Sequence, residues 1–447
     1  MIETFKNSIK IPDIRKKILW TLFFLLLFRI GSFIPVPGIN VAAFQSMTES
    51  TSSIFGIMST ITGGSLSQGT LFAIGISPYI NASIIMQLLA FAIPALEKMS
   101  KEENGKEKIN KITRYVTLGL AVLQSLAVLF TFRAQYSDTG SIFNLNLFGT
   151  GNVSEAIVFI FTTLIFTAGA CGCMWLGERI TEKGISNGIS MIIFVGIIST
   201  SGQTILDMII YIIQNGFAAA NGWQLIVLLI TLVIIFAFVV LVDGGERKIL
   251  VQYAKQVKGN KMYGGQSTYI PIKVNASGVL PLIFAFSLLS LPQILASTFW
   301  PSSAFATFCS DFLSSTGGNS WLYSILLAIF IFGFAYLYSM ITFNPEDVAK
   351  NMQQQGGMIL GIRAGKPTAD YLDKVVKRIT LYGAVFLSIM ALVPSLIFGW
   401  IGGGTSNNVL ISAFGPTSML IVVSVALEFN KALEQQIMIR NYKGFMK

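Results

Sequence analysis

The residues that could do chemistry are few, and their spacing argues against most of it. Cys171 and Cys173 stand one residue apart in an apolar run, with Cys309 far downstream. Side chains two apart on a helix point in different directions, so this pair reads as packing thiols and not as a redox or metal pair. The chain contains no histidine. That removes the commonest general base and metal ligand, and with them every Ser-His or His-zinc mechanism. No glycine-rich loop followed by Lys and Ser or Thr occurs, so no nucleotide site is expected and energy for any work must come from outside. No catalytic residue, metal or cofactor is expected. What remains is a set of carboxylates at the ends of apolar runs (Glu178, Glu182, Glu428) and one charge well inside a run, Arg29.

The elements that must carry these residues are dictated by hydrophobicity. Of 447 residues 53% are apolar and 12% charged, with a mean hydropathy of +0.68; a soluble domain is usually about a quarter charged. Crossing a hydrocarbon layer about 30 Å thick takes roughly twenty apolar residues on a helix. Such runs fall at 18–36, 71–93, 115–134, 155–177, 187–206, 223–242, 276–296, 321–342, 379–400 and 412–429. The stretch Met1 to Arg15 is polar and basic, and no small-residue cleavage site follows the first run, so that run is expected to stay as an anchor. The expected fold class is an all-α polytopic membrane protein of about ten transmembrane helices, with no separate soluble domain.

Charge then orients the spans. With a cytoplasmic N-terminus, the segments 1–17, 94–114, 178–186, 243–275, 343–378 and 430–447 face inside and hold 29 of the 31 Lys and Arg residues. This is the positive-inside pattern, and it places both termini in the cytoplasm. Arg29 lies roughly 18 Å above the inner edge of its helix; it either snorkels to the outer interface or faces the bundle interior. Carriers for charged solutes keep ionisable residues deep in their spans, and these spans are nearly free of them. The segments 243–275 and 343–378 are too long to be mere connectors and carry turn signals at Gly264-Gly265, Gly356-Gly357 and Lys366-Pro367. They form either a solvated basic rim or a docking surface for an acidic partner.

Ten spans divide into five and five near 206–222. Five is odd, so two related halves, 1–206 and 207–447, would be inverted relative to each other, with a pathway at their interface. Between Pro37 and Leu71 the outer segment is half-apolar and hinged by Thr62-Gly63-Gly64-Ser65-Leu66-Ser67. It either rests on the membrane surface or folds back as a re-entrant piece within a protein-lined cavity.

Several stretches are recognisable together: Arg29 to Gly38, Leu71 to Leu89, Trp175 to Thr181 followed by Gly184 to Ser190, Val251 to Lys255, Lys273 to Pro281, and Asn344-Pro345-Glu346 with Gly361-Ile362-Arg363. In order, and across nearly the whole chain, they resemble the SecY/Sec61-alpha family in its bacterial form. The resemblance implies an hourglass channel of two five-helix halves, constricted by a ring made of Ile76 and Ile80 in the second span, Ile193 in the fifth, Ile283 in the seventh and Ile421 in the tenth. It implies a plug at about 53–70, where Gly63, Gly64, Ser65, Leu66 and Ser67 match the family form and Gln68 replaces a basic residue of many relatives. It implies a lateral gate between the second and seventh spans with Asn81, Gln124 and Asn275 as its polar residues; many relatives have a smaller hydroxyl where Asn81 stands. Arg363 matches an arginine with which the family engages its motor ATPase, and Arg247, Lys248 and Lys255 would share in docking.

The activity implied is translocation of unfolded secretory proteins across the bacterial cytoplasmic membrane, with lateral release of transmembrane segments into the lipid bilayer. The implied partners are SecE and SecG as membrane subunits, with the SecA motor ATPase, the ribosome and the signal-recognition receptor on the cytoplasmic side. The rival from another class is a secondary transporter of a small solute, which would need a midplane ionisable residue and a compact ligand pocket.

Overall fold

Long apolar helices dominate the computed structural model, which describes residues 8–50, 58–60, 62–102, 105–136, 143, 152–215, 223–253, 256–258, 261–263, 267–275, 278, 280–300, 303–313, 320–401 and 416–445. Helix α1 (Pro12–Gly31) starts on a proline, whose fixed φ suits a first turn, with Asp13 beside the positive helix end. After the short α2 (Val41–Ser50) the chain turns repeatedly, and α3 (Ser77–Ala92) begins later than the apolar run at 71 suggests. Residues 71–76 are not helical, because Gly75 takes a φ of +60° and Pro78 stands in the first turn of α3.

Helices α4 (Pro94–Lys101), α5 (Gly105–Tyr136), α6 (Asn152–Lys183), α7 (Gly188–Asn215) and α8 (Trp223–Asp243) follow. Beyond the strands described below come α9 (Leu280–Phe299), α10 (Ala304–Phe312), α11 (Ser320–Thr342), α12 (Pro345–Gln354), α13 (Lys366–Ile401) and α14 (Pro416–Phe445). Among the described residues, helices of 16 to 36 residues overlap every one of the ten apolar runs. Five stretches are long and apolar enough to cross a membrane by themselves: Glu107–Arg133, Glu155–Lys183, Gly188–Leu206, Leu322–Gln354 and Lys366–Leu392.

Helix α3 packs on α5 and α9, α5 on α6 and α9, and α6 on α1 and α7. Further along, α9 packs on α11, α11 on α13, and α8, α13 and α7 all meet α14. The largest buried cluster runs through the middle of the bundle and joins Phe28, Ile80, Ile193, Leu282, Ile331, Leu387 and Val425. A second cluster, with Phe44, Leu66, Ile74, Phe132 and Phe166, lies under the turns that precede α3. Outside, α1 shows Leu19, Leu22, Phe23 and Leu26, and α8 shows Ile230, Val233, Ile234 and Leu241. Contiguous exposed apolar faces of this kind belong against lipid or other membrane helices.

The expectation of an all-α chain needs one correction. The segments 243–275 and 343–378 are not bare loops. Strand β1 (Glu246–Tyr253) pairs antiparallel with β4 (Ser267–Lys273), from Glu246↔Lys273 to Gln252↔Ser267. Its other edge pairs with β5 (Gly357–Ile359) through Val251↔Ile359. The short strands β2 (Gln256–Lys258) and β3 (Lys261–Tyr263) extend the hairpin. Ile249, Val251, Ile272 and Ile359 alternate onto one face and bury against Met352 of α12 and Leu372, Val375 and Ile379 of α13. Period-two burial over a helical support is what turns these residues into strands.

Candidate functional site

Four helices from distant parts of the sequence, α3, α7, α9 and α14, each put one isoleucine onto a single cavity. Ile80, Ile193, Ile283 and Ile421 line it together with Phe286, Ser77, Ser287, Ser290 and Ser418. The cavity encloses about 670 Å³ of empty space, its mouth included. Branched apolar side chains offer water and ions no hydrogen bond, so such a constriction can exclude both while touching a polypeptide closely. Ile76, expected in the same ring, does not line the cavity among the described residues. It caps the N-terminus of α3, is buried, and lies against α6 at Gly177.

Met58 and Thr62 close the same cavity from the segment that precedes α3. Of the expected plug, residues 53–57 and 61 lie outside the described residues. The remainder is a knot of turns. The amide of Thr62 donates to the Met58 carbonyl at 2.9 Å and that of Gly64 to the Ser59 carbonyl at 2.8 Å. The hydroxyls of Ser65 and Ser67 donate to the carbonyls of Thr62 and Gly64, each at 2.8 Å. Leu66 is completely buried among Phe44, Phe132 and Phe166. Much of the polar backbone is paired within the segment, as non-helical chain inside a membrane protein requires.

Asn81 on α3 and Gln124 on α5 are both buried. Among the described residues, the Asn81 Oδ1 and both polar atoms of the Gln124 amide have no hydrogen-bond partner. Such groups are costly unless a partner or water arrives. Asn275 is not brought to them by any described hydrogen bond. It stands between β4 and α9, where its amide nitrogen donates to Asp243 Oδ1 at 3.2 Å. Lys431 of α14 donates to the carbonyl oxygen of Asp243 at 3.0 Å and to its Oδ2 at 3.4 Å. On the sheet, Arg247 and Lys248 are exposed, as is Arg363 just past β5. Lys255 lies outside the described residues.

The SecY family model matches residues 70–430. A relative from Streptomyces galbus, the protein translocase subunit SecY, is 41% identical, and the alignment covers 100% of both chains. The chain belongs to the SecY family. It is accordingly a multi-pass membrane protein. Solved folds agree. A structure described as that of a protein conducting channel has a TM-score of 0.67 at 18% identity, covering 94% of this chain and 92% of that one. Sec61 in the canine ribosome-channel complex from the endoplasmic reticulum has a TM-score of 0.63 at 17% identity, again covering 94% and 92%.

Within this SecY-family chain, reasoning from sequence missed the serines that line the cavity, Ser77, Ser287, Ser290 and Ser418. Serines spaced three apart on α9, at 287 and 290, are the only signal of this lining. The three-stranded sheet was also missed, although Ile249, Val251 and Tyr253, then Ile270 and Ile272, alternate as strand residues do.

Proposed function

We propose that the path of a translocating polypeptide runs through the cavity walled by Ile80, Ile193, Ile283 and Ile421. The carrying observation is that four remote helices each supply one isoleucine to a single space. The chain is a protein translocase subunit and not an enzyme. Its ten long helices form two inverted five-helix halves, 1–206 and 207–447, and the α3–α9, α5–α9 and α7–α14 packings are the seams between them. Ile76 joins the ring when α3 shifts away from Gly177.

Residues 53–70 act as the plug; Met58 and Thr62 abutting the cavity support this reading. Asn81, with its unpaired Oδ1, and Gln124, with its unpaired amide, belong to a seam that opens to lipid. Buried polar groups left unmatched in the closed form favour rearrangement when a signal helix arrives, and each interhelical hydrogen bond formed in a membrane contributes about 0.6 to 2 kcal/mol. Asn275 contributes by tethering the start of α9 to Asp243.

The chain resides in the bacterial cytoplasmic membrane with both termini inside, and SecE and SecG are its membrane subunits. Arg247, Lys248 and Arg363 lie on or beside the cytoplasmic sheet, which with Lys255 docks SecA, the ribosome and the signal-recognition receptor. Exposure of the described three supports this, as does the ribosome-channel complex in which Sec61 is found. A small-solute transporter would need charged ligand groups, and the described lining of the cavity carries none.

Disulfide trapping tests the path. With Cys171, Cys173 and Cys309 replaced, a thiol introduced by Ile193→Cys should crosslink to a single-cysteine precursor arrested in mid-transit, at a position that tracks precursor length. No crosslink at any length, in an assembled and export-competent complex, would refute the assignment.

A further inference from the structure

Arg29, the charge set deep in the first apolar run, has no part in the reading above. Of its two alternatives the structure takes the interior one. Nη1 donates to the carbonyl oxygen of Gly63 at 3.2 Å, and Nη2 donates to the hydroxyl of Ser199 on α7. The guanidinium carbon lies 5.0 Å from the centroid of the Phe33 ring. Among the described residues no carboxylate pairs with it. A guanidinium is a rigid fork of donors. Here one prong holds the turn segment and the other holds α7.

The acceptor is shaped for this approach. Gly63 has a φ of +73°, and a Cβ there would stand 2.7 Å from Arg29 Nη1 and 3.0 Å from the Cα of Gly196. Any other residue would strain the backbone and push the segment off both helices. One residue beyond Ser199, the Thr200 hydroxyl lies 3.4 Å from the Thr60 carbonyl, with the carbonyls of Ile197 and Gly196 on its own helix nearer, at 3.1 and 3.3 Å. Thr62, the neighbour of Gly63, lines the cavity. The charge therefore grips the segment beside the path itself. Half-buried, it is held by one carbonyl and one hydroxyl with one ring beside it, and an ionisable side chain inside a span is as a rule functional.

We propose that Arg29 is a latch: its guanidinium ties the segment around Gly63 to α7 in the closed channel, and the segment departs only when both bonds are given up. This rests on the plug reading of residues 53–70. Arg29 is a positioning residue and does not itself conduct.

The test uses the full chain assembled with its partner subunits in membranes, with the native cysteines replaced. Ser65→Cys supplies a reporter thiol at a completely buried position of the segment. Its alkylation from the outer side by a charged maleimide measures unplugging. An arrested precursor should raise that rate several-fold in the otherwise unaltered chain; if it does not, the plug reading fails and the latch falls with it. Where the precursor does raise it, Arg29→Met should raise the rate of the idle channel about tenfold, which corresponds to about 1.4 kcal/mol. Ser199→Ala should raise it less, and the double variant no more than Arg29→Met alone, since the two groups act as one unit. Idle ion conductance should rise in parallel. Unchanged rates in both single variants, with the reporter still responding to precursor, overturn the latch. If Arg29→Met does not assemble, Ser199→Ala and Arg29→Lys decide: each loses one prong, and unaltered rates in both overturn the proposal.

Discussion

Lys431→Met probes the junction where the three-stranded sheet meets the bundle. Lys431 Nζ lies 3.4 Å from Asp243 Oδ2, with side-chain exposures of 32% and 11%. At an effective dielectric of about 20 the attraction at that distance is about 5 kcal/mol, against about 1 kcal/mol in water. Desolvation of both groups offsets most of it, and the partial exposure of the lysine leaves a net effect of about 2 kcal/mol. Lys431 also donates to the Asp243 carbonyl, satisfying the end of α8 as a cationic side chain should. Removing the ammonium leaves a nearly buried carboxylate with Asn275 as its one side-chain donor among the described residues. Unfolding in detergent, followed by intrinsic fluorescence, should show Lys431→Met destabilised by about 2 kcal/mol. Asp243→Asn placed on top should recover part of the loss, because the stranded charge goes with it. A Lys431→Met protein as stable as the parent would refute this reasoning. So would a double variant that loses the sum of two independent costs, since groups in contact should not be additive.

Three further outcomes follow from geometry. A Cβ on Gly169 of α6 would collide with the Leu71 carbonyl, so Gly169→Val should cost about 3 kcal/mol or more and abolish accumulation in membranes. Gly119→Ala, where nothing lies within 4 Å, should accumulate normally on the same immunoblot. Ile80→Ser and Ile193→Ser should let water into the ring and raise resting bilayer conductance several-fold; conductance equal to the parent's in both would separate the ring from the seal. Charge reversal at Arg363, or at Arg247 with Lys248, should weaken binding of ribosomes or the motor ATPase and flatten its salt dependence. Where the group neutralised is a phosphate, the log–log slope should fall by about one unit for each phosphate that no longer has its cation.

The helical skeleton was legible because twenty-residue apolar runs have few other interpretations, and each of the ten runs overlaps a helix. The late start of α3 was not, because an apolar run does not reveal where Gly75 turns left-handed. That Ile80, Ile193, Ile283 and Ile421 would share one cavity was legible only through resemblance. Isoleucine occurs in nine of the ten spans, and nothing local distinguishes Ile193 from Ile192, which also is buried. Arg29 stood out as an isolated charge, but its partners lie 34 and 170 residues away, and no local pattern connects them. Asn275 illustrates the reverse limit. A family motif marked it, yet its partner is the carboxylate of Asp243 across the neck of the hairpin.

Because β1 is bonded along both edges, to β4 from its own segment and to β5 from the other, neither segment is a modular part. Replacing only 243–275 by the equivalent piece of a distant relative would present foreign residues to Ile359 and Leu372, and replacing only 343–378 would strand Ile249 and Val251. Substitutions that accumulate in one segment must be answered in the other, so the two should drift together between species as a single heritable block. Chimeras meant to transfer partner preference will work when cut outside both, and swaps of either alone will report broken packing in place of altered recognition.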